Sequence, residues 1–213
     1  MIAGGESRYF LRFNGHPPFF VGGYVARESD WPYFASSWAE RILNSKPKIP
    51  YLHMTALRRS KFRKKHGLCN LDAQNKVREA ICIINSMGGV GATAGTIDQP
   101  HLDAVGKKLR SVGVPRGLGF KDPDYLCFIA YVWQTLVHLK RTAPEVERVD
   151  FVVSKKAKVS EHYREFTDSI RRSLETLAPI AAPLVGDLIP ASMQERLPLQ
   201  AADLLCWHLQ RIK

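Results

Sequence analysis

Val149-Asp150-Phe151-Val152-Val153 is a run of β-branched and aromatic residues set between two long helical patterns, and this placement decides the fold class. On its N-terminal side, Asp122-Pro123 opens a helix running to about Arg141 that is apolar on nearly every face, as expected of a helix buried between a sheet and other helices. On its C-terminal side, Val159 to Leu177 is amphipathic, with Tyr163, Phe166, Ile170, Leu174 and Leu177 on one face. A strand held between two helices implies an α/β layered fold with a mixed central sheet.

The same alternation continues toward both ends. Phe19-Phe20-Val21-Gly22-Gly23-Tyr24-Val25-Ala26 reads as a strand bounded by Pro17-Pro18 and by Arg27-Glu28-Ser29-Asp30. Ser29 or Asp30 is expected to cap a helix whose stripe is Trp31, Phe34, Trp38 and Ile42. After Pro47 and Pro50, Tyr51-Leu52-His53-Met54 reads as a short strand leading into a basic loop. Asp72 opens a helix expected to bury Val77, Ile81 and Ile84 and to stop at Gly88-Gly89, and Val90 to Ile97 suits a further strand. Pro183 to Ile189 holds one more short strand before a final helix.

At 213 residues and 45% hydrophobic, the chain is long enough to bury a substantial core as a single domain spanning residues 1–213. Cys69, Cys82, Cys127 and Cys206 are far apart and form no CxxC pair, which argues for buried thiols in a reducing compartment and against a zinc ribbon or redox dithiol. No run of 18 apolar residues exists, and Met1 to Glu6 lacks a basic region followed by an apolar one. A cytoplasmic protein with no membrane contact is therefore expected. The net charge of +11 favours a polyanionic partner, nucleic acid first. Arg58, Arg59, Lys61, Arg63, Lys64 and Lys65 fall within eight residues and are the candidate phosphate contacts. No zinc-finger, RNA-recognition or helix-turn-helix signature accompanies them, so nothing points to sequence-specific readout.

Leu197-Pro198-Leu199-Gln200-Ala201-Ala202-Asp203-Leu204-Leu205-Cys206-Trp207-His208-Leu209 is the chemically informative helix. At helical spacing Asp203 shares a face with Leu199, Cys206 and Trp207, so it points where apolar residues point. An ionised carboxylate there needs compensation. Two accounts fit: a structural Asp held by an Arg or a backbone amide, and a ligand at the edge of a site. Other chemistries drop out, because there is no GxSxG elbow and no HExxH helix, and Gly88 to Gly95 lacks the spacing of a phosphate cradle. His53, at the end of a short strand, is the histidine placed to act as ligand or general acid/base, or to sit as a satisfied half-buried side chain.

Glu6-Ser7, the glycine-bearing strand from Phe19 to Ala26 with Trp31 and Phe34 behind it, Leu52-His53-Met54-Thr55-Ala56-Leu57, and Leu199-Gln200-Ala201-Ala202-Asp203-Leu204-Leu205 together resemble the bacterial and phage domain-of-unknown-function 3800 family. The resemblance covers almost the whole chain, and its closing Gln-x-Ala-Asp-Leu-Leu element is the most specific part. It implies a ribonuclease H-like fold, with acidic residues at the centre of a mixed sheet and divalent-metal nuclease chemistry. On that reading Asp203 and Glu6 bind Mg²⁺ or Mn²⁺, His53 assists, and the basic segment holds phosphates.

This chain departs from the family pattern at two acidic positions. The first strand of the family opens Asp-Glu-Ser-Gly, whereas here Gly5 and Arg8 flank Glu6-Ser7; a second acid, expected where the strand after the long buried helix ends, is Ser154. Side chains alternate along a strand, so Glu6 faces away from the lost Asp position unless the strand bulges. Two metal ions need several carboxylates to fix and neutralise them, and Asp203 alone does not suffice. Glu6, Asp98, Asp187 and His53 are possible recruits. The expected function is accordingly a metal-dependent nuclease or nuclease-like protein with a degenerate site, or a non-catalytic nucleic-acid-binding protein using the same cleft.

Overall fold

The computed structural model describes residues 5–14, 19–88, 91–98, 123–155 and 163–211, together with 100, 101, 103, 104, 107 and 111; within these, the side chains of 5–14, 19–20, 96–97, 123–127, 130, 163–166, 169 and 177 are left aside. Strands β1 (Gly5–Asn14), β2 (Phe19–Arg27), β3 (Gly91–Ile97), β4 (Val146–Ser154) and β5 (Val185–Ala191) form one sheet in the order β3-β2-β1-β4-β5. The β1:β2 and β2:β3 pairs are antiparallel, and β4 and β5 run parallel to β1. The α/β class with a mixed central sheet is therefore as the strand–helix alternation implies.

Alternation along β4 sorts the chain into three layers. Val149, Phe151 and Val153 face one core with Val21 and Val25, covered by α5 (Pro123–Thr142) through Phe128, Val132 and Leu136 and by α6 (Tyr163–Leu177) through Ile170 and Leu174. Val152 faces the other core with Tyr24 and Ala26, covered by α1 (Trp31–Trp38), α4 (Asn70–Ser86) and α7 (Pro198–Leu209). Trp38, Phe34 and Ile42 are fully enclosed there, as the i, i+3, i+7 stripe requires. Helix α7 packs closely on β2 at Gly22: a Cβ at this position would stand 3.2 Å from Cys206 Sγ. No described helix is long and apolar enough to cross a membrane.

Four local expectations are corrected. Glu28–Asp30 is a 3₁₀ turn leading straight into α1, so neither Ser29 nor Asp30 caps that helix through its side chain. Residues 51–53 form no strand; they are extended chain ending at His53, the N-cap of α2 (Met54–Arg58). The basic run is helical, as α3 (Ser60–Lys65), because Lys and Arg are good helix formers once a turn is nucleated. In α4 the buried face is Lys76, Ala80 and Ile83, one residue back from the expected stripe, and Ile81 is exposed. Lys76 sets that rotation. Its ammonium donates to Ile42 O at 2.6 Å, Ser45 O at 3.2 Å and Ser45 Oγ at 3.0 Å, closing the end of the π turn Ala39–Leu43 that extends α1. Burial draws its pKa below the ordinary lysine value, with the Asp72 charge opposing.

The β4:β5 pairing slips between Val149 and Phe151, so Gly186 and Asp187 lie opposite Asp150. The buried Asp150 carboxylate fills the gap: Oδ1 accepts from Asp187 N at 2.8 Å and from Arg148 Nε at 3.1 Å, and Arg148 also reaches Asp187 Oδ2 at 2.8 Å. Only glycine fits at 186, since a Cβ there would overlap Asp150 Oδ1 and come within 2.6 Å of Val149 O. Gly186→Ala is expected to destabilise the protein by about 2–3 kcal/mol, read as a lowered midpoint in urea, through backbone that has no room to shift. An unchanged midpoint would show that the bulge accommodates a methyl group and that Asp150 does not fill it.

Candidate nucleic-acid interface

Helix α7 carries two polar side chains into the core, one turn apart, and both serve the extended chain at 51–54. Gln200, fully buried, accepts from Leu52 N at 2.8 Å and from Trp38 Nε1 at 3.0 Å through Oε1, and donates from Nε2 to Met193 O at 2.9 Å. Asp203, 8% exposed, accepts from Met54 N at 2.9 Å through Oδ2. Residues 52 and 54 of an extended chain present their amides on the same side, and positions 200 and 203 of a helix present theirs on one face. The helix thus substitutes for the β partner this segment lacks, and orphan amides are satisfied that would each cost about 1–3 kcal/mol.

His53 completes the arrangement. Its Nδ1 accepts from Ala56 N at 3.2 Å, capping α2, and its Nε2 lies 3.6 Å from Asp203 Oδ1. An Nδ1 that accepts carries no proton, so this geometry assigns the Nε2–H tautomer, with that proton directed toward the carboxylate. The lone pair a general base would use is engaged by the Ala56 amide, and the N–H a general acid would use faces Asp203.

Beside this pair opens a cleft of about 300 Å³ lined by Tyr51, His53, Arg59, Ser154 and Ser192, among others. Ser154 enters it from the end of β4 and Ser192 from the turn after β5. That turn is held by a reciprocal pair, Ser192 N to Glu195 Oε2 at 2.7 Å and Glu195 N to Ser192 Oγ at 3.2 Å, and by Lys155 Nζ on Glu195 at 2.9 Å. The structure therefore brings together Asp203, His53 and Ser154. It does not bring Glu6 to them. Glu6 pairs with Arg148 near the start of β4, six residues before Ser154, or roughly 20 Å along the strand. The β1 residues level with Ser154 are those after Leu11, which pairs with Val153. The register slip between Gly5 and Glu6 sits at that remote end and brings neither residue to the cleft. Asp187 is committed to the Arg148 pair, and Asp98 hydrogen-bonds His101 beyond the edge strand β3.

Mg²⁺ and Mn²⁺ require oxygen ligands gathered around one point. Asp203 presents one oxygen to the Met54 amide and the other to His53, the strand end carries the neutral Ser154, and among the described residues no group of three or more His, Cys, Asp and Glu side chains is gathered. This donor set does not fit a two-ion centre.

The six cations nominated from sequence divide by what holds them. Arg63 Nη1 donates to Leu57 O at 3.0 Å and Arg58 O at 2.6 Å, closing α2, and Arg58 lies over the Trp207 ring at 5.6 Å with Arg211 at 4.3 Å. Arg59, Lys61, Lys64 and Lys65 are exposed and, among the described residues, in no ion pair with an acid. No acidic residue occurs between Met54 and Leu71. Sequence reasoning nominated the cluster but missed Tyr51, Ser192 and the structural acid Asp150. Nothing local distinguishes the last, whose partner Gly186 lies a strand away.

No family model, no curated protein and no solved structure matches this chain.

Asp203→Ala is expected to lower stability by about 1–3 kcal/mol by orphaning the Met54 amide, equally with and without Mg²⁺ in a thermal melt; a metal-dependent rise in Tm that this variant abolishes would contradict the structural role. The Ser192 amide first, then Lys155 and the Ser192 hydroxyl, pull the Glu195 pKa down to about 2. A folded value below the unfolded one gives stability that is complete above the usual carboxylate range and lost as pH falls toward 2. Glu195→Gln should flatten that acid limb of the stability–pH curve, and a curve of unchanged slope would remove Glu195 as a contributor.

Proposed function

We propose that this protein binds nucleic acid through α3 and the adjoining cleft and does not cut it, on a ribonuclease H-like scaffold. The observation that carries the reading is the pairing of exposed cations, Arg59, Lys61, Lys64 and Lys65, that meet no acid among the described residues, with an adjoining cleft whose wall residue His53 faces a carboxylate already engaged by backbone. Phosphates are attracted to cations that have no internal anion, and each one neutralised releases condensed counterions. Arg59 belongs both to the cationic segment and to the cleft, so a strand crossing α3 is delivered to Tyr51, His53 and Ser154. Hydrolysis needs a positioned, activated water and neutralisation of the developing charge. Neither is supplied by a serine at the strand end and a histidine whose lone pair caps a helix. The central mixed sheet supports the ribonuclease H-like assignment that the family resemblance implies, with Asp203 present and two of the acidic positions that the family pattern expects occupied by Gly5 and Ser154.

Fluorescence anisotropy against a generic oligonucleotide tests this reading. Neutralising Arg59, Lys61, Lys64 and Lys65 together is expected to reduce the slope of log affinity against log salt by about 3, at about 0.7–0.9 per phosphate contact. The wild type should leave labelled DNA and RNA intact in Mg²⁺ or Mn²⁺. An unchanged slope would assign the cations to solubility, and cleavage lost in Asp203→Asn would restore the nuclease reading.

A further inference from the structure

The aromatic rings beside the cleft form a chain of edge-on and tilted neighbours. Tyr51 and His53 stand 6.5 Å apart between centroids, Tyr51 and Phe62 5.7 Å, and Phe62 and His66 4.6 Å. All four residues are half-buried, neither enclosed in the core nor fully in solvent. The line starts in the cleft, where Tyr51 and His53 are wall residues, and passes along α3, where Phe62 and His66 share a face at i, i+4 spacing. Lys61, Lys64 and Lys65 project from the same helix and Arg59 from its start. Aromatic rings flanked by cations that meet no acid among the described residues are the elements that take splayed bases on one side and their phosphates on the other.

Double helix suits this surface poorly. A duplex hides its base faces in the stack and is read by an element long enough to lie in a groove, whereas α3 is six residues, about 9 Å long. The cleft, at about 300 Å³, is at the small end of ligand-sized cavities and has room for about one nucleotide. Tyr51 is held in place through its neighbours in the chain, since the amides of Leu52 and Met54 are fixed by Gln200 and Asp203. A ring with little freedom left to lose binds a base at low entropic cost. We propose that His53, Tyr51, Phe62 and His66 form a stacking track for unpaired bases, so that the ligand held by the α3 cations is single-stranded. This rests on the nucleic-acid reading and narrows it.

The test uses the full chain with fluorescein-labelled 15-nucleotide single strands, oligo(dT) and oligo(U), and a labelled 15-base-pair duplex, at one fixed salt concentration. The wild type is expected to bind the single strands at least tenfold more tightly than the duplex. Tyr51→Leu and Phe62→Leu keep apolar volume and remove the ring; each, in protein that circular dichroism shows to be folded, should weaken single-strand binding roughly tenfold more than it weakens duplex binding. Tyr51→Phe, which keeps the ring, should bind as the wild type does. Equal or tighter duplex binding overturns the stacking track while leaving the nucleic-acid reading in place, as do folded leucine variants with wild-type single-strand affinity. Binding of neither probe overturns both. Should a leucine variant fail to fold, the strand preference of the wild type and the behaviour of Tyr51→Phe still decide the outcome.

Discussion

The stitching of residues 51–54 to helix α7 is the constraint on which the functional surface depends. An extended segment crossing buried ground without a neighbouring strand leaves amides with no ladder to join, and a buried amide without an acceptor is costly. Gln200 and Asp203 supply acceptors at the right interval, one for Leu52 and one for Met54. Everything on the basic side of the molecule depends on that anchor. Met54 begins α2, His53 caps it, Arg63 folds back onto its last carbonyls, and α3 is thereby fixed against the cleft mouth. The polar residues of α7 also explain why an otherwise apolar helix is not uniformly so: each is matched to a group elsewhere in the core, Trp38 and Met193 included.

The same constraint bears on the chemistry. A carboxylate serving as a backbone acceptor is not idle charge waiting for a metal. To coordinate a cation through Oδ2 it would have to share or surrender the Met54 amide, and through Oδ1 it would have to displace His53 from its 3.6 Å approach. The energy of such an exchange is returned only when other anionic ligands help to hold the ion, and the residue at the end of β4 is the neutral Ser154. Asp150, the acid that does lie within β4, is spent on the bulge, where it replaces a missing ladder partner for Asp187 and ties down Arg148. Both buried acids of this half of the molecule are thus acceptors for main-chain amides.

Periodicity made much of the scaffold legible. The strand–helix alternation around β4, the stripe Trp31-Phe34-Trp38-Ile42 and the position of α5 all depend on local spacing and stand where spacing puts them, although α5 keeps Gln134 and His138 exposed where the sequence pattern implies burial on nearly every face. What sequence hid was tertiary. Tyr51 to Met54 has β-type residues and reads as a strand, yet its partner is a helix side chain almost 150 residues away. The face of α4 is displaced by one residue because Lys76 is drawn inward to orphan carbonyls, an interaction a hydrophobicity pattern scores against. Glu6 was nominated by motif, but the β1:β4 register that separates it from the cleft is a long-range property. Asp203 and His53 were nominated together and do meet, although the geometry makes them partners in capping α2 and holding its leading segment.

Rigidity in this region has a consequence for how a flexible polyanion would be held. A single strand pays heavily in conformational entropy when it is ordered, so a surface that must itself be ordered at the same moment would bind weakly. Here the surface is ordered beforehand. The rings from His53 to His66 are held by helix capping and by packing against Phe62, and the cations that meet no acid among the described residues lie on or at the start of a short helix whose Arg63 closes the end of α2. Arg58 and Arg63, which sequence counts equally with the other four, are the members that create this order: one lies over Trp207, the other closes α2. On the proposed reading, dividing a basic cluster into cations that build the platform and cations left for a ligand separates stability from affinity. The surface charge can then be changed without loosening the aromatic line beneath it, because the two functions rest on different side chains.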